Sequence, residues 1–482
     1  MFRSRSRKRE IFLSVIRITL GNLLYIYHWE DTLTSNVQPK HLVAVIGAGP
    51  AGLFAARELA NQGHYVVIFN RDIKPGGLAE YGIYPDKYKM KTGLRGQFHQ
   101  ILFMENIEYF GNVAVGEDQD LTLEDLRQLG FQALLVTVGA QGTKWLGMEG
   151  EDLQGVYHAK DLVYHYNHLP PFSEKYYEIG QRVAVIGVGN VMMDISHYLM
   201  ERRRVPEVWA VARRGPGEIK FDKNEVEAVG AHMDIPQIED EIDHWSELMR
   251  SLDEDPDKVK ELLHNAVARS VPFDSPSRFR LRFLLSPRRI LGDSAGRVCG
   301  LEVEHNTLFL ENGDVRSRGL GTTEVLPVDT VIFAIGDRAD DHFGLPVASN
   351  EFIKAHQPRY PVEGITYEVE DPETHLPILD VFVAGWARRA STGLVGIARK
   401  DGTQGAQAVN RYLATQPLMD ELPLDKVHAR VRALGKFVVD KQAVLRLHNF
   451  EQEHAKRLGV EDFKFDRVED MITAIQMAHE KI

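Results

Sequence analysis

Two glycine-rich hexapeptides could do chemistry with backbone rather than side chains: Gly47-Ala48-Gly49-Pro50-Ala51-Gly52 and Gly187-Val188-Gly189-Asn190-Val191-Met192. In the first, Gly47 permits a tight turn, Gly49 lets the backbone come close to a ligand, and Gly52 lets a helix pack on the preceding strand. Such a turn aims unsatisfied N–H groups and the positive end of a helix dipole at an anion, as a pyrophosphate requires. In the second, Met192 holds the third small-residue place, and its bulk is expected to push the helix slightly off the strand. Further on stand Arg213, Arg214 and Gly215. An acid at that place would bond the ribose 2′-OH of NAD. Two guanidiniums can instead clamp a 2′-phosphate, which an acid would repel.

The elements that must position these turns are legible. Leu42 to Ile46 is a continuous apolar run, as expected for a parallel strand buried on both faces. A helix from Ala51 to about Asn61 follows the first turn, and Tyr65 to Phe69 is the next strand. The unit recurs with the strand Val183 to Ile186, a helix from about Val191 to Arg202, and the strand Val208 to Val211. Two cradles on one chain point to two different dinucleotides, economically FAD in the first and NADP in the second.

The 482 residues suffice for two to four domains at roughly 100–200 residues each. A net charge of −12 argues against a nucleic-acid binder. The single cysteine, Cys299, excludes an intrachain disulfide, an internal thiol pair for disulfide reduction and a four-cysteine cluster. It is expected to be a small buried residue beside a strand. Arg3, Arg5, Arg7, Lys8 and Arg9 precede an apolar stretch, Ile11 to Tyr27, which Arg17 interrupts. A central arginine costs about 2.5 kcal/mol or more on insertion scales, so residues 1–39 read as an extension rather than a span. A cytoplasmic location is expected for the body, with a targeting or membrane-surface role left open for the extension. His158, His165 and His168 lack companion ligands at metal spacing, and no metal site is expected.

Further motifs occur in a definite order: GGLAEYGIYPD (Gly76–Asp86), GNVAVG (Gly111–Gly116), GVGNVMMD (Gly187–Asp194), VARRGP (Val211–Pro216), RFLLSP (Arg282–Pro287), GWARRASTG (Gly385–Gly393) and KFDRVEDM (Lys464–Met471). Together with VIGAGPAG, this set resembles the adrenodoxin-reductase type of ferredoxin–NADP reductase, within the wider glutathione-reductase-like flavoprotein group. The resemblance spans about residues 40–482. It implies an FAD-dependent oxidoreductase that takes hydride from NADPH and passes electrons to a separate ferredoxin-like iron–sulfur protein. It implies FAD contacts from Ala48 and its loop, Leu78, Val113, Trp386, Gly393, Leu394 and Val395, and NADP contacts from Val188 to Val191, Arg213, Arg214 and Glu225. Asp194 and Trp386 would lie where hydride is transferred.

Departures accompany the match. Asn70 stands at the end of the second strand where the family has glutamate; its amide can still bond a ribose hydroxyl, though more weakly. Lys87 replaces the family's usual histidine, and Ala390-Ser391 a Gly-Pro pair. The stretch matching the family's arginine-rich docking helix, Leu252 to Val267, is not basic. Other basic clusters are Arg202-Arg203-Arg204, the run Arg278 to Arg289, and Arg388-Arg389.

The expected architecture is α/β, with two Rossmann-like dinucleotide-binding domains and the NADP domain inserted into a discontinuous FAD domain. The boundaries are 1–39 extension, 40–150 FAD domain, 151–325 NADP domain, 326–416 FAD domain resumed, and 417–482 a helical tail on the outside. Val331 to Ile335 is read as a strand of the FAD domain. Rival readings are an NADPH-dependent reductase of a quinone or other small molecule, an electron-input flavoprotein like the small subunit of glutamate synthase, and a non-enzymatic nucleotide-binding scaffold. The glutamate-synthase relatives carry a cysteine-rich N-terminal region that this chain lacks.

Overall fold

The structure, a computed structural model, describes residues 40–390, 393 and 395–479. The expected extension 1–39, Ser391 and the site residue Leu394 lie outside the described residues. The described residues form one compact body that holds two units, one around each large sheet.

The apolar runs fold as their continuity demands. Strand β1 (Leu42–Ile46) leads through the first glycine turn into α1 (Pro50–Asn61), then β2 (Tyr65–Asn70), α2 (Tyr88–Leu102), β3 (Ile107–Gly111) and β4 (Ala133–Val136). Proline at the first position of α1 costs nothing, because that N–H has no partner inside a helix. The chain crosses to a second sheet through β5 (Val156–His158), α3 (Ala159–Tyr166), β6 (Arg182–Ile186), α4 (Asn190–Glu201) and β7 (Glu207–Val211). Helices α5 (Lys223–Val229) and α6 (Pro256–Arg269) precede β8 (Arg278–Arg282). An antiparallel meander follows, β9 (Leu285–Gly292), β10 (Val298–Glu311) and β11 (Asp314–Leu326), and then β12 (Thr330–Phe333). The chain returns to the first sheet with β13 (Glu368–Glu370) and β14 (Pro377–Val383), and α7 (Val395–Leu413) closes the unit. Helices α8 (Leu424–Arg432), α9 (Lys441–Leu458) and α10 (Val468–His479) form the tail.

The first sheet has the order β13-β14-β4-β1-β2-β3, parallel except for β13. The second is wholly parallel, β5-β12-β6-β7-β8. Alternate residues of β1 enter opposite cores, Val43 and Val45 on one face, Leu42, Ala44 and Ile46 on the other. Strand β6 divides its residues in the same way. Each fully buried Val, Ile or Leu contributes about 1.5–3 kcal/mol, which anchors both turns on rigid supports.

Three expectations are corrected. Thr330–Phe333 pairs with Val183–Ile186 and so belongs to the second sheet, not the first. A short apolar run carries no mark of which sheet it joins; only pairing decides. The crossing back follows it, where Asp337–Arg338 pairs antiparallel with Gly142–Thr143 of the outgoing crossing. The tail is not merely external, since Val427 and Val431 enter one core and Leu447, Met471 and Ile475 another. Cys299 lies in β10 but is exposed, because strand alternation turns it outward.

Candidate dinucleotide and redox site

At the first cradle Gly47 takes φ 102°, and a Cβ there would stand 2.7 Å from the Thr137 carbonyl oxygen. A Cβ on Gly52 would overlap the Gly47 carbonyl, so α1 sits directly on the turn. A Cβ on Gly49 would meet nothing within 4 Å, and Gly49 caps α1 without a side-chain hydrogen bond. The helix N-terminus therefore opens on free space with its N–H groups uncovered, which fits a diphosphate. The loop at Gly76 braces the turn, its N–H donating to the Ala48 carbonyl at 2.7 Å.

Asn70 is placed differently from a simple ribose ligand. Its Oδ1 accepts the Ala48 N–H at 3.0 Å. Its Nδ2 donates to the Asp72 carbonyl (2.8 Å), the Lys74 carbonyl (3.1 Å) and the Tyr109 hydroxyl (3.2 Å). Both amide hydrogens are spent inside the protein, so Asn70 works here as a brace for the glycine turn. Val113 is fully buried and donates its N–H to the Asn70 carbonyl at 2.9 Å, which carries the GNVAVG segment alongside the end of β2. Leu78 packs against the small cluster of Tyr81, Tyr164 and Leu169.

Gly385 and Gly402 both abut Ala51 in the first turn of α1, so the Gly385-Trp386 turn and α7 meet over the start of α1. The Gly385 N–H donates to Asp401 Oδ2 at 2.6 Å, and the buried Arg388 clasps the same carboxylate through Nε at 3.1 Å. Trp386, Arg389 and Ile397 line a cavity of about 170 Å³ there. Gly393 and Val395 lie at the entry to α7.

The second cradle repeats the geometry. Gly187 takes φ 131°, with the Ala334 carbonyl 2.5 Å from where a Cβ would be. Gly189 faces open space and caps α4 without a side-chain bond. Val188 accepts the Lys220 N–H at 3.1 Å, and Asn190 exchanges two hydrogen bonds with Asp222. Val191 is exposed. Met192 is fully buried in the core beneath, its bulk taken up by a side chain that fills irregular gaps.

The arginines that follow are not equivalent. Arg213 is exposed, whereas Arg214 donates to Glu218 Oε1 at 2.7 Å. Glu218 also accepts the Gly215 N–H. Glu254 presses its carboxylate against Gly217, and burial, aided by Glu218, raises its pKa. Sequence order gave no signal for either acid.

Between the two units lies a carboxyl with a strongly raised pKa. Asp194 on α4 is pushed up to about 7, chiefly by burial, with Lys87 pulling it down and Glu225 pushing it up. Lys87 Nζ stands 3.5 Å from Asp194 Oδ1 and 2.5 Å from Glu225 Oε2. Burial opposes the Lys87 ammonium, but the two carboxylates outweigh it and hold its pKa above the ordinary value. The same loop is fastened by Tyr84, whose hydroxyl donates to Glu201 at 3.1 Å and whose ring stacks on His197 at 4.5 Å. Asp194 and Glu225 are thus brought together by Lys87.

The family described as pyridine nucleotide-disulphide oxidoreductase matches residues 41–254. NADPH-ferredoxin reductase FprA of Mycobacterium leprae is 28% identical over 414 residues, 78% of this chain and 86% of that protein. The mitochondrial NADPH:adrenodoxin oxidoreductase of Homo sapiens is 29% identical over 416 residues, 79% of this chain and 78% of that one. The solved structure of FprA, a Mycobacterium tuberculosis oxidoreductase described with a covalent modification of NADP+, shares the fold. Its TM-score is 0.77 at 24% identity, covering 92% of this chain and 100% of that one. In sequence the chain is similar to NADPH-ferredoxin and NADPH:adrenodoxin reductases, its first half carries a pyridine nucleotide-disulphide oxidoreductase match, and it shares the fold of FprA.

Proposed function

We propose that this chain is an NADPH-dependent FAD oxidoreductase that delivers electrons to a ferredoxin-like iron–sulfur protein. The observation that carries it is the pair of uncovered glycine turns, each following a central parallel strand, joined by the Lys87–Asp194–Glu225 cluster. The first turn, braced by Asn70, would hold the FAD diphosphate, with Val113, Leu78, Trp386, Gly393 and Val395 around the rest. The second would hold NADPH, with Arg213 reaching the 2′-phosphate. FAD, when bound, supplies hydride acceptance followed by release of single electrons.

The chain's own residues bind, orient and manage protons. Gly49 and Gly189 admit the diphosphates, and the helix dipoles favour their charge. Asp194, raised to about 7, can when protonated donate a hydrogen bond to the nicotinamide carboxamide and can exchange its proton with water, and Lys87 holds its carboxyl in place. The Asp401–Arg388 pair fixes the Gly385-Trp386 turn. Among the described residues no helix is long and apolar enough to cross a membrane, and we infer that the body works in the cytoplasm.

The test is anaerobic titration of the purified protein, followed by visible spectroscopy. A yellow protein bleached by NADPH well before NADH is expected, with cytochrome c reduction when ferredoxin is added. A colourless protein, or equal bleaching by both nucleotides, would overturn the assignment.

A further inference from the structure

The three basic clusters differ in what their charges already do. Arg202 pairs with Asp86 and Glu201, Arg203 donates to a carbonyl, and Arg204 pairs with Asp274. In the second run, Arg280, Arg282, Arg288 and Arg289 meet carboxylates, and exposed Arg278 alone makes no ion pair among the described residues. On α6, Lys258, Lys260 and Arg269 are paired as well. Around the start of α7, apart from Arg388 on Asp401, the pattern is reversed. Arg57 of α1 and Arg399 of α7 lie over the same ring, Phe54, at 4.7 and 4.5 Å from its centroid, and among the described residues neither meets a carboxylate. Exposed Arg389 makes no side-chain ion pair among those residues either. Among the described residues Lys400 pairs only with Glu363, at 3.9 Å, and both of these side chains are mostly exposed.

These groups are arranged around a depression. Arg57, Arg399, Lys400 and Gln407 line a cavity of about 410 Å³, with Glu363 as its single carboxylate. Lys400 and Gln404 also line the neighbouring cavity of Trp386 and Ile397. Ile397 is 56% exposed beside them, an apolar point set among cations. Stacking on Phe54 holds two long side chains in one pose without neutralising them, so their field faces solvent. In a chain of net charge −12, the two cavities are lined by five cations and two acids, and with Asp401 paired to Arg388 the remaining four cations face Glu363, a local reversal of sign.

We propose that this face of α1 and α7 is where an acidic iron–sulfur electron carrier docks. The proposal rests on the function proposed above. The partner's chemistry follows from charge complementarity: carboxylates on the carrier would be steered to Arg57, Arg389, Arg399 and Lys400, and Ile397 with Trp386 would give the small apolar centre such interfaces need. The patch adjoins the Gly385-Trp386 turn, so a carrier seated there lies on the flavin side of the molecule rather than on the nucleotide domain. Each NADPH oxidised to NADP+ releases one proton and reduces two one-electron carriers in turn.

The test uses the full-length holoprotein, with an acidic [2Fe–2S] ferredoxin as probe and menadione, a neutral quinone, as a small acceptor. For Arg399→Glu with Lys400→Glu, menadione reduction stays at the parent level, while the KM for ferredoxin rises about tenfold or more at low salt. The parent's ferredoxin KM also rises between about 50 and about 200 mM salt, and the variant's stays flat. Lys258→Glu with Lys260→Glu on α6 leaves both activities unchanged. A double variant with the parent's KM and salt response overturns the docking site alone, as does an equal effect from the α6 pair. A parent protein that reduces menadione but no ferredoxin overturns the carrier reading itself and the docking site with it.

Discussion

Lys87, from the loop after β2, places its ammonium 2.5 Å from Glu225 on α5 and 3.5 Å from Asp194 on α4. One side chain of the first unit is thereby clamped between two carboxylates of the second. Those carboxylates would repel each other without it.

The pH behaviour of Asp194 follows. Its folded pKa, about 7, stands above its ordinary value of 3.8. A raised value means that the folded state holds the proton more tightly. The stability this contributes is complete below about pH 4 and lost as pH rises through about 7. Asp194→Asn should flatten the dependence of the unfolding midpoint on pH across that window and remove the inflection near 7 from NADPH-driven flavin reduction. Lys87→Gln should move the inflection to higher pH, because the cation that lowers Asp194 is gone. An inflection near 7 that survives in Asp194→Asn would belong to another group.

The two arginines of the second cradle should not contribute equally. Arg213 is free of an acid among the described residues, and Arg214 is held by Glu218 at 2.7 Å. A charge-assisted bond to phosphate is worth about 1.5–3 kcal/mol. Arg213→Ala should therefore raise the NADPH KM about tenfold or more with NADH little changed, and Arg214→Ala should do less. Glu218→Gln releases Arg214 and should lower the NADPH KM. Equal losses for both nucleotides in Arg213→Ala would place the arginine away from the 2′-phosphate.

Gly49 and Gly52, three residues apart, should fail in different ways. A Cβ at position 52 collides with the Gly47 carbonyl, so Gly52→Ala should yield little folded protein. A Cβ at 49 meets nothing within 4 Å, and it would enter the open space where we propose that the FAD diphosphate binds. Gly49→Ala should fold, by circular dichroism, and purify with much less flavin. Full flavin content in that variant would move the cofactor elsewhere.

A buried charge network ties the tail to the first unit. Glu80 lies 3.0 Å from Lys74, 2.6 Å from Arg95 and 3.3 Å from Lys464, and Lys74 lies 2.5 Å from Glu451. Burial alone would raise Glu80, but three cations outweigh it and hold its pKa well below the ordinary carboxylate range. Its contribution is present at neutral pH and lost as the medium turns acid. Glu80→Gln leaves those cations short of a countercharge, and about 3–5 kcal/mol of stability should go with it, read as a lower urea midpoint. A midpoint unchanged at pH 7 would show that solvent compensates.

By itself the sequence determined what local physics determines. Apolar runs of strand length followed by glycine turns specify β1–α1–β2 and β6–α4–β7, because a tight turn, a close approach and a close-packed helix each demand a particular residue at a particular spacing. Arg213 and Arg214 were legible for the same reason, as charges at the end of a strand. Only the tertiary structure decided which sheet Thr330–Phe333 joins, since two parallel sheets ask the same apolar pattern of a central strand. It alone decided that Asn70 turns inward, that Glu218 occupies Arg214, and that Lys87 meets Glu225, 138 residues away. Pairing energies between buried charges depend on distance through space and on burial. Neither is written in local order, so the groups that set the site's proton chemistry appear only once the chain has folded.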